Sequence, residues 1–379
     1  MQNGVKQDID VRMDKQTRVP LLQRISCGAT IYALQTLGEL TLWYREWKTP
    51  TEFPPTTIKY YQCRPSLPIR IFFPQSYDPK TSQTPLPTFF SIHGGGFCLG
   101  HPNDDDKWNW NFANMHNVLV IALNYRKAPA YPFPTATYDL EALMLAIHSD
   151  ASLPIDKARI AVGGFSAGGS LTLSVCQLPS IRAKLQSKAA LPVYAVVDKS
   201  IPMDVKLQTR YYKPELGSGM RAEKRDFLEM LCPAFLWSYI NPGEDMRQPL
   251  LSPYFAPREA LPPHIFFVSA ELDQLAHEAW CMARKLAGRP EPALSDRVGR
   301  EKRSAGKGEF VLDDERFAFE KRDEDGKTSV RWLLVPDQIH GFDRMPLKWH
   351  GEESLEDARL KETAYQKVAG EWLYEVAWK

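Results

Sequence analysis

The chain has 379 residues, 44% hydrophobic and 25% charged, and its 47 Lys and Arg nearly cancel its 46 Asp and Glu, leaving a formal charge of +1. That length is enough for one large α/β core with a cap. The neutral balance removes any electrostatic case for nucleic acid or an anionic membrane as partner. The longest apolar stretches are strand-sized, and no basic segment followed by an apolar one opens the chain, so neither a membrane span nor a signal peptide is expected. Six scattered cysteines without Cys-x-x-Cys spacing fit free thiols in a reducing cytoplasm.

In chain order, residues 1–20 are polar and read as a loose start. Ile31, Leu34, Leu37, Leu40, Tyr44 and Trp47 recur at three- and four-residue steps, which predicts a helix over 21–47 that ends before Pro50, Pro54 and Pro55. Short strands are expected at 58–62 and 69–73. A parallel series follows at 86–92, 118–123, 160–162, 191–197, 265–270 and 330–335. Helices at 136–149, 167–176 and 277–287 alternate with these strands, and a last helix covers 355–378. Such alternation implies a mostly parallel sheet with right-handed crossovers.

Two stretches interrupt the alternation. Residues 200–253 are rich in aromatics and prolines (Tyr211, Tyr212, Phe227, Trp237, Tyr239) and read as a cap. Residues 288–327 carry charges of both signs and few apolar side chains. They read as a surface excursion, with 309–312 and 317–321 as candidate strands. The expected organisation is therefore cap helices over 1–56, core over 57–199, cap insertion over 200–253, and core over 254–379 carrying the excursion.

The chemistry concentrates at strand ends. His93-Gly94-Gly95-Gly96-Phe97 follows the apolar run 86–92, and consecutive glycines there mark backbone that must approach a ligand closely. In hydrolases such a loop aims N–H groups at a developing oxyanion. Gly164-Phe165-Ser166-Ala167-Gly168 places a serine on a strand-to-helix turn that only small neighbours permit, with a helix N-terminus behind it. A serine nucleophile needs a base, and the base a carboxylate. Asp273 follows the strand at 265–270 and His340 the strand at 330–335, each where open α/β sheets build their sites. The order Ser166, Asp273, His340 is that of α/β-hydrolases.

Together these motifs resemble the hormone-sensitive-lipase family of α/β-hydrolases. Tyr125-Arg126-Lys127-Ala128-Pro129, then Pro132-Phe133-Pro134 and Asp139, match that family's intermediate segment in register, and the resemblance spans about 68–342. Two departures stand out: Gln274 where the family often has proline, and the wide spacing from acid to histidine. The resemblance implies an α/β-hydrolase fold with a helical cap and hydrolysis of carboxylic esters with short or medium acyl chains, without organic cofactor or metal. In that scheme His340 takes the Ser166 proton while Asp273 orients the imidazole. The N–H groups of Gly95, Gly96 and Ala167 meet the oxyanion, with Gly94 as an alternative donor. Phe97 and Phe165 are taken as substrate-contacting.

The expected partner is a small-molecule ester, with a homodimer left open. Rival readings are a thioesterase or acyl-transferase of a biosynthetic pathway, as in secondary metabolism, an amidase, and a non-catalytic receptor of the gibberellin-receptor kind, which lacks the histidine present here. Asp104-Asp105-Asp106 with His101 reads as a solvated loop rather than a metal site. Glu271, Asp313 and Asp314 are competitors for the acid, and none is expected to matter as Asp273 does.

Overall fold

A computed structural model describes residues 20–48, 52–78, 80–82, 84–217, 221–224, 226, 228–302, 304–344 and 351–379. Nine strands form one sheet: β1 Thr57–Tyr61, β2 Arg64–Phe72, β3 Leu86–Ile92, β4 Leu119–Leu123, β5 Ile155–Phe165, β6 Ala189–Val193, β7 His264–Ala270, β8 Ala318–Arg322 and β9 Ser329–Val335. Their spatial order is β1-β2-β4-β3-β5-β6-β7-β9-β8. The six strands from β4 to β9 in that order run parallel, while β1, β2 and β8 pair antiparallel at the two edges. The parallel strands carry the continuous apolar runs required of a sheet covered on both faces.

The helices are α1 Leu21–Lys48, α2 Asp106–His116, α3 Thr135–His148, α4 Ala167–Cys176, α5 Met203–Gln208, α6 Leu228–Tyr239, α7 Ala276–Leu286 and α8 Glu352–Trp372. Alternation along β4 shows how they divide the core. Leu119, Ile121 and Leu123 face Leu140, Leu143 and Ile147 of α3, whereas Val120 and Ala122 face Trp108 and Phe112 of α2 and Trp372 of α8. That is the two-residue pleat at work. The indole N–H of Trp108 donates to the Tyr365 hydroxyl (2.7 Å), joining α2 to α8 inside this second layer.

Three expectations change. The apolar repeat of α1 buries Ile31, but Leu37, Leu40, Tyr44 and Trp47 remain exposed. Of the candidate strands in the excursion only the second forms, as edge strand β8, and 309–312 runs without strand pairing. The rest of the excursion is not a detached surface loop. Val298 is fully buried, its N–H donates to the Thr209 carbonyl (2.9 Å), and Arg300 N–H donates to the Glu271 carboxylate (2.9 Å). Its few apolar side chains, Val298, Phe317 and Phe319 among them, turn inward, so composition hid the packing.

Candidate active site

Ser166 sits between β5 and α4 with φ 54° and ψ −116°, a strained conformation held because its surroundings leave no alternative. The close approach is what demands glycine. A Cβ on Gly164 would lie 2.5 Å from the Gly168 carbonyl oxygen, and one on Gly168 would collide with the carbonyls of Ile92, at the end of β3, and of His93 just after it. Ser166 N–H donates to Val193 O (2.9 Å), which ties the turn to β6.

The structure brings the three sequence-predicted side chains together. His340 Nε2 is 2.8 Å from Ser166 Oγ, and His340 Nδ1 is 2.7 Å from Asp273 Oδ2. With Nδ1–H donating to the carboxylate, Nε2 is left to accept the serine O–H. Asp273 is fully buried, and its other oxygen accepts Leu275 N–H (2.9 Å). Burial opposes the imidazolium, but Asp273, with Asp226 behind it, outweighs burial and holds His340 above the ordinary histidine range.

Asp226 has no local motif and was not anticipated. It accepts the N–H of Gln274 (3.0 Å) and of Leu228 (3.0 Å), and burial, then the Asp273 charge, pushes its carboxyl up. Proline at 274 would have no N–H to give. The Gln274 departure thus attaches the cap segment to the acid loop.

Gly94, Gly95, Gly96, Ala167, Phe97, Ser166 and His340 all line one cavity of about 880 Å³. Gly95 (φ 111°) and Gly96 (φ 60°) hold the left-handed backbone that the loop requires. Ala167 is the first residue of α4, so its N–H has no partner within the helix. The loop is braced from two sides. Gln35 of α1 donates to the carbonyls of Cys98 (2.7 Å) and Ala128 (2.8 Å). Tyr125 stacks on His93 at 4.4 Å between centroids, and its hydroxyl donates to the His93 and Gly94 carbonyls (3.3 Å each). Burial, then the Lys127 charge, holds His93 well below its usual range, so the ring is neutral and donates from Nδ1 to Gly94 O (2.7 Å). The Tyr-Arg-Lys-Ala-Pro segment therefore braces the glycine loop, and Asp139 anchors it by accepting from Arg126 (2.7 and 2.9 Å).

Phe97 lines the cavity and stacks on Tyr239 of α6 at 3.9 Å. Phe165 does not meet the expectation placed on it. It is 1% exposed, lies edge-on to Trp108 at 5.1 Å, and is not among the cavity's lining residues. As the last residue of β5 it faces away from Ser166, toward the α2 and α8 layer. The acidic run also departs from a solvated loop. Asp105 is buried against Arg344, and Asp106 accepts from Arg70 Nε (2.7 Å). Burial pushes Asp105 up to about 8 despite Arg344, and burial pushes His101 down to about 4. Among the described residues no group of three or more His, Cys, Asp or Glu is arranged to hold a metal. Burial pushes the Cys98 thiol up to about 12, so it supplies no thiolate here.

Behind the acid and base lies a second buried group. Lys213 Nζ is 2.8 Å from Glu271 Oε2 and 2.8 Å from Asp337 Oδ1, and all three side chains are essentially fully buried. Asp337 N–H donates to Glu271 (2.8 Å), and Ser304 Oγ and Ala305 N donate to Asp337 (3.0 and 2.8 Å). Glu271 is thus not the indifferent neighbour expected from sequence. Asp313 and Asp314 do remain apart from His340: Asp313 is exposed near Arg300, and Asp314 accepts from Arg316 (2.6 Å).

A family described as alpha/beta hydrolase fold matches residues 89–298. An arylesterase of Saccharolobus solfataricus is 33% identical over 235 residues, covering 61% of this chain and 70% of the relative. An ethyl acetate hydrolase of Pseudomonas putida is 32% identical over 223 residues, 58% of this chain and 65% of the relative. Among solved structures, an esterase of Pyrobaculum calidifontis superposes with TM-score 0.63 at 20% identity, over 96% of this chain and 100% of that one. The strand order, the turn at Ser166 and these likenesses agree: the chain belongs to the alpha/beta-hydrolase fold family, in its hormone-sensitive-lipase branch.

Proposed function

We propose that the protein is a serine carboxylesterase acting on short- to medium-chain or small-molecule esters. The observation that carries this reading is the unbroken line from Asp273 through His340 to Ser166, 2.7 and 2.8 Å, opening on a cavity beside Gly95, Gly96 and Ala167. His340 accepts the serine proton as Oγ adds to the acyl carbonyl, and Asp273 stabilises the imidazolium. The backbone N–H groups of Gly95, Gly96 and Ala167, with Gly94 as the alternative, receive the oxyanion, where one such donor contributes about 3 kcal/mol to lowering the barrier. The alcohol leaves with the proton from His340, and water, deprotonated by the same imidazole, releases the acid. Relatives named for arylester and ethyl acetate hydrolysis support this class of substrate.

Helix α1 and the described part of residues 200–253 act as the cap. Phe235, Leu236 and Tyr239 of α6 and Leu228 at its start supply an apolar wall over Ser166. A wall of this kind excludes water and favours uncharged acyl chains against emulsified triglyceride. Free cysteines at all six positions fit a cytoplasmic setting. No helix among the described residues is long and apolar enough to cross a membrane.

A panel of p-nitrophenyl esters of rising acyl length, run beside thioester and anilide analogues, tests the assignment. Acyl chains of two to eight carbons should give the highest kcat/KM. A clear preference for thioesters at matched length would move the assignment to the biosynthetic thioesterase alternative, and for anilides to an amidase.

A further inference from the structure

Five Lys and Arg side chains line the cavity, and four of them are held by carboxylates. Arg70 is held by Asp106, Arg344 by Asp105, Lys107 by Glu362 and Lys206 by Glu278. Lys199 forms no ion pair among the described residues, although it is 2% exposed and lies on the same wall. Its Nζ donates to Ser170 Oγ (3.0 Å), one turn beyond the nucleophile in α4, and to Leu251 O (2.6 Å), and it sits 4.9 Å from the centroid of the Phe97 ring. An ammonium has three donors. Two are taken, and no third acceptor lies within hydrogen-bond distance among the described residues.

The neighbouring carboxylates are committed elsewhere. Glu278 accepts the N–H of Val197 (2.7 Å) and Asp198 (3.2 Å) besides pairing with Lys206, and Asp198 accepts Ser200 N–H (2.8 Å). A buried charge without an opposite charge is costly, and the group answers by giving up its proton. Burial, then repulsion from Lys206, pushes Lys199 down to about 7, against the pull of Glu278 and Asp198.

We propose that Lys199 recognises a carboxylate on the substrate, so that the site favours esters that carry an anionic group on the half lying along Phe97. The inference rests on the esterase reading and narrows it: the apolar cap encloses the carbon chain, while Lys199, alone among the cavity's Lys and Arg side chains in lacking a carboxylate partner among the described residues, provides the charged contact. Anion binding supplies the missing partner, so it is strongest where Lys199 is protonated and weakens as pH rises through its titration.

The test compares p-nitrophenyl hexanoate with the p-nitrophenyl monoester of adipic acid, and butyl acetate with 4-acetoxybutanoate, in wild type and Lys199→Met. The quantity read is the kcat/KM ratio of anionic to neutral ester, in which the titration of His340 cancels. For the pair that places its carboxylate at Lys199, the wild-type ratio should exceed one at pH 6.5 and fall at higher pH, and Lys199→Met should lower it at least tenfold. An unchanged ratio in both pairs would overturn the proposal and leave Lys199 a packing residue. Independently of turnover, Ser166→Ala is titrated with monomethyl adipate by calorimetry, where adding Lys199→Met should weaken binding at least tenfold. If wild type hydrolyses none of the four esters, the esterase reading fails, and this titration alone decides the role of Lys199.

Discussion

Two trios of side chains share the loops that follow β7 and β9 and differ in design. Ser166, Asp273 and His340 form a line of hydrogen bonds that ends at the cavity. Lys213, Glu271 and Asp337 form a closed, fully buried ion cluster two residues before the acid and three before the base. In the proposed mechanism the first passes a proton, so one end is open, and its histidine is held above the ordinary histidine range. The second must pass nothing, so its oxygens are saturated by an ammonium and by N–H groups from Arg300, Asp337 and Ala305. Lys213 comes from the segment proposed as a cap, so that segment also ties together the loops that carry Asp273 and His340.

The largest effect should come from breaking the open trio at its nucleophile. Ser166→Ala is expected to lower kcat by about 10⁶, the scale of triad losses in related mechanisms, while the melting temperature holds or rises because a strained turn is relieved. Retention of more than a tenth of wild-type kcat would contradict the assignment. Asp273→Asn should cost about 10⁴ in kcat through the wrong histidine tautomer, with the fold intact. Asp313→Asn, at an exposed side chain beside Arg300, should cost less than tenfold. If the two variants exchanged these effects, the acid would be misassigned.

The closed trio should fail by a different route. Lys213→Met leaves two carboxylates buried without their cation and should destabilise the fold by about 3–5 kcal/mol in urea unfolding, with kcat falling as the loops loosen. The same geometry revises what the sequence implied for Glu271: Glu271→Gln, like a deletion of residues 292–306, removes part of the cluster and should lower stability and activity together. Wild-type stability in Lys213→Met would show the cluster to be incidental.

A smaller effect distinguishes the trios by pH. Asp273 favours the imidazolium, so His340 keeps its proton to higher pH than a free histidine, and the base is lost on the acid side. The profile of kcat/KM should therefore rise through a single inflection above ~6.5, the unperturbed value. A profile flat from about pH 5 to 8, with chemistry rate-limiting, would count against His340.

The open trio was readable in the chain because each member depends on a short-range rule. Gly164 and Gly168 are forced by a turn, Gly95 and Gly96 by left-handed backbone, and Asp273 and His340 by apolar runs that end just before them. Strands β3 and β7 and helix α4 were legible for the same reason. Lys213, Asp226 and Lys199 were not, since their partners lie far away in sequence and a cap lysine or aspartate carries no local pattern. Phe165 was misplaced because the residue before a nucleophile adjoins it in sequence but faces the opposite side of the sheet. The acidic run at 104–106 looked solvated because its partners, Arg70 and Arg344, lie 36 residues before Asp106 and far downstream of Asp105. The departure at Gln274 was visible as a difference, but its meaning needed the distance from its N–H to Asp226.

The central claim is that His340 activates Ser166 for covalent catalysis. Reaction with a fluorophosphonate, followed by intact mass and peptide mapping, tests it directly. One adduct per chain is expected, on Ser166, forming more slowly as pH falls through the His340 titration and absent in Ser166→Ala. Labelling at another residue, or a Ser166 that stays unmodified while ester turnover continues, would contradict the account.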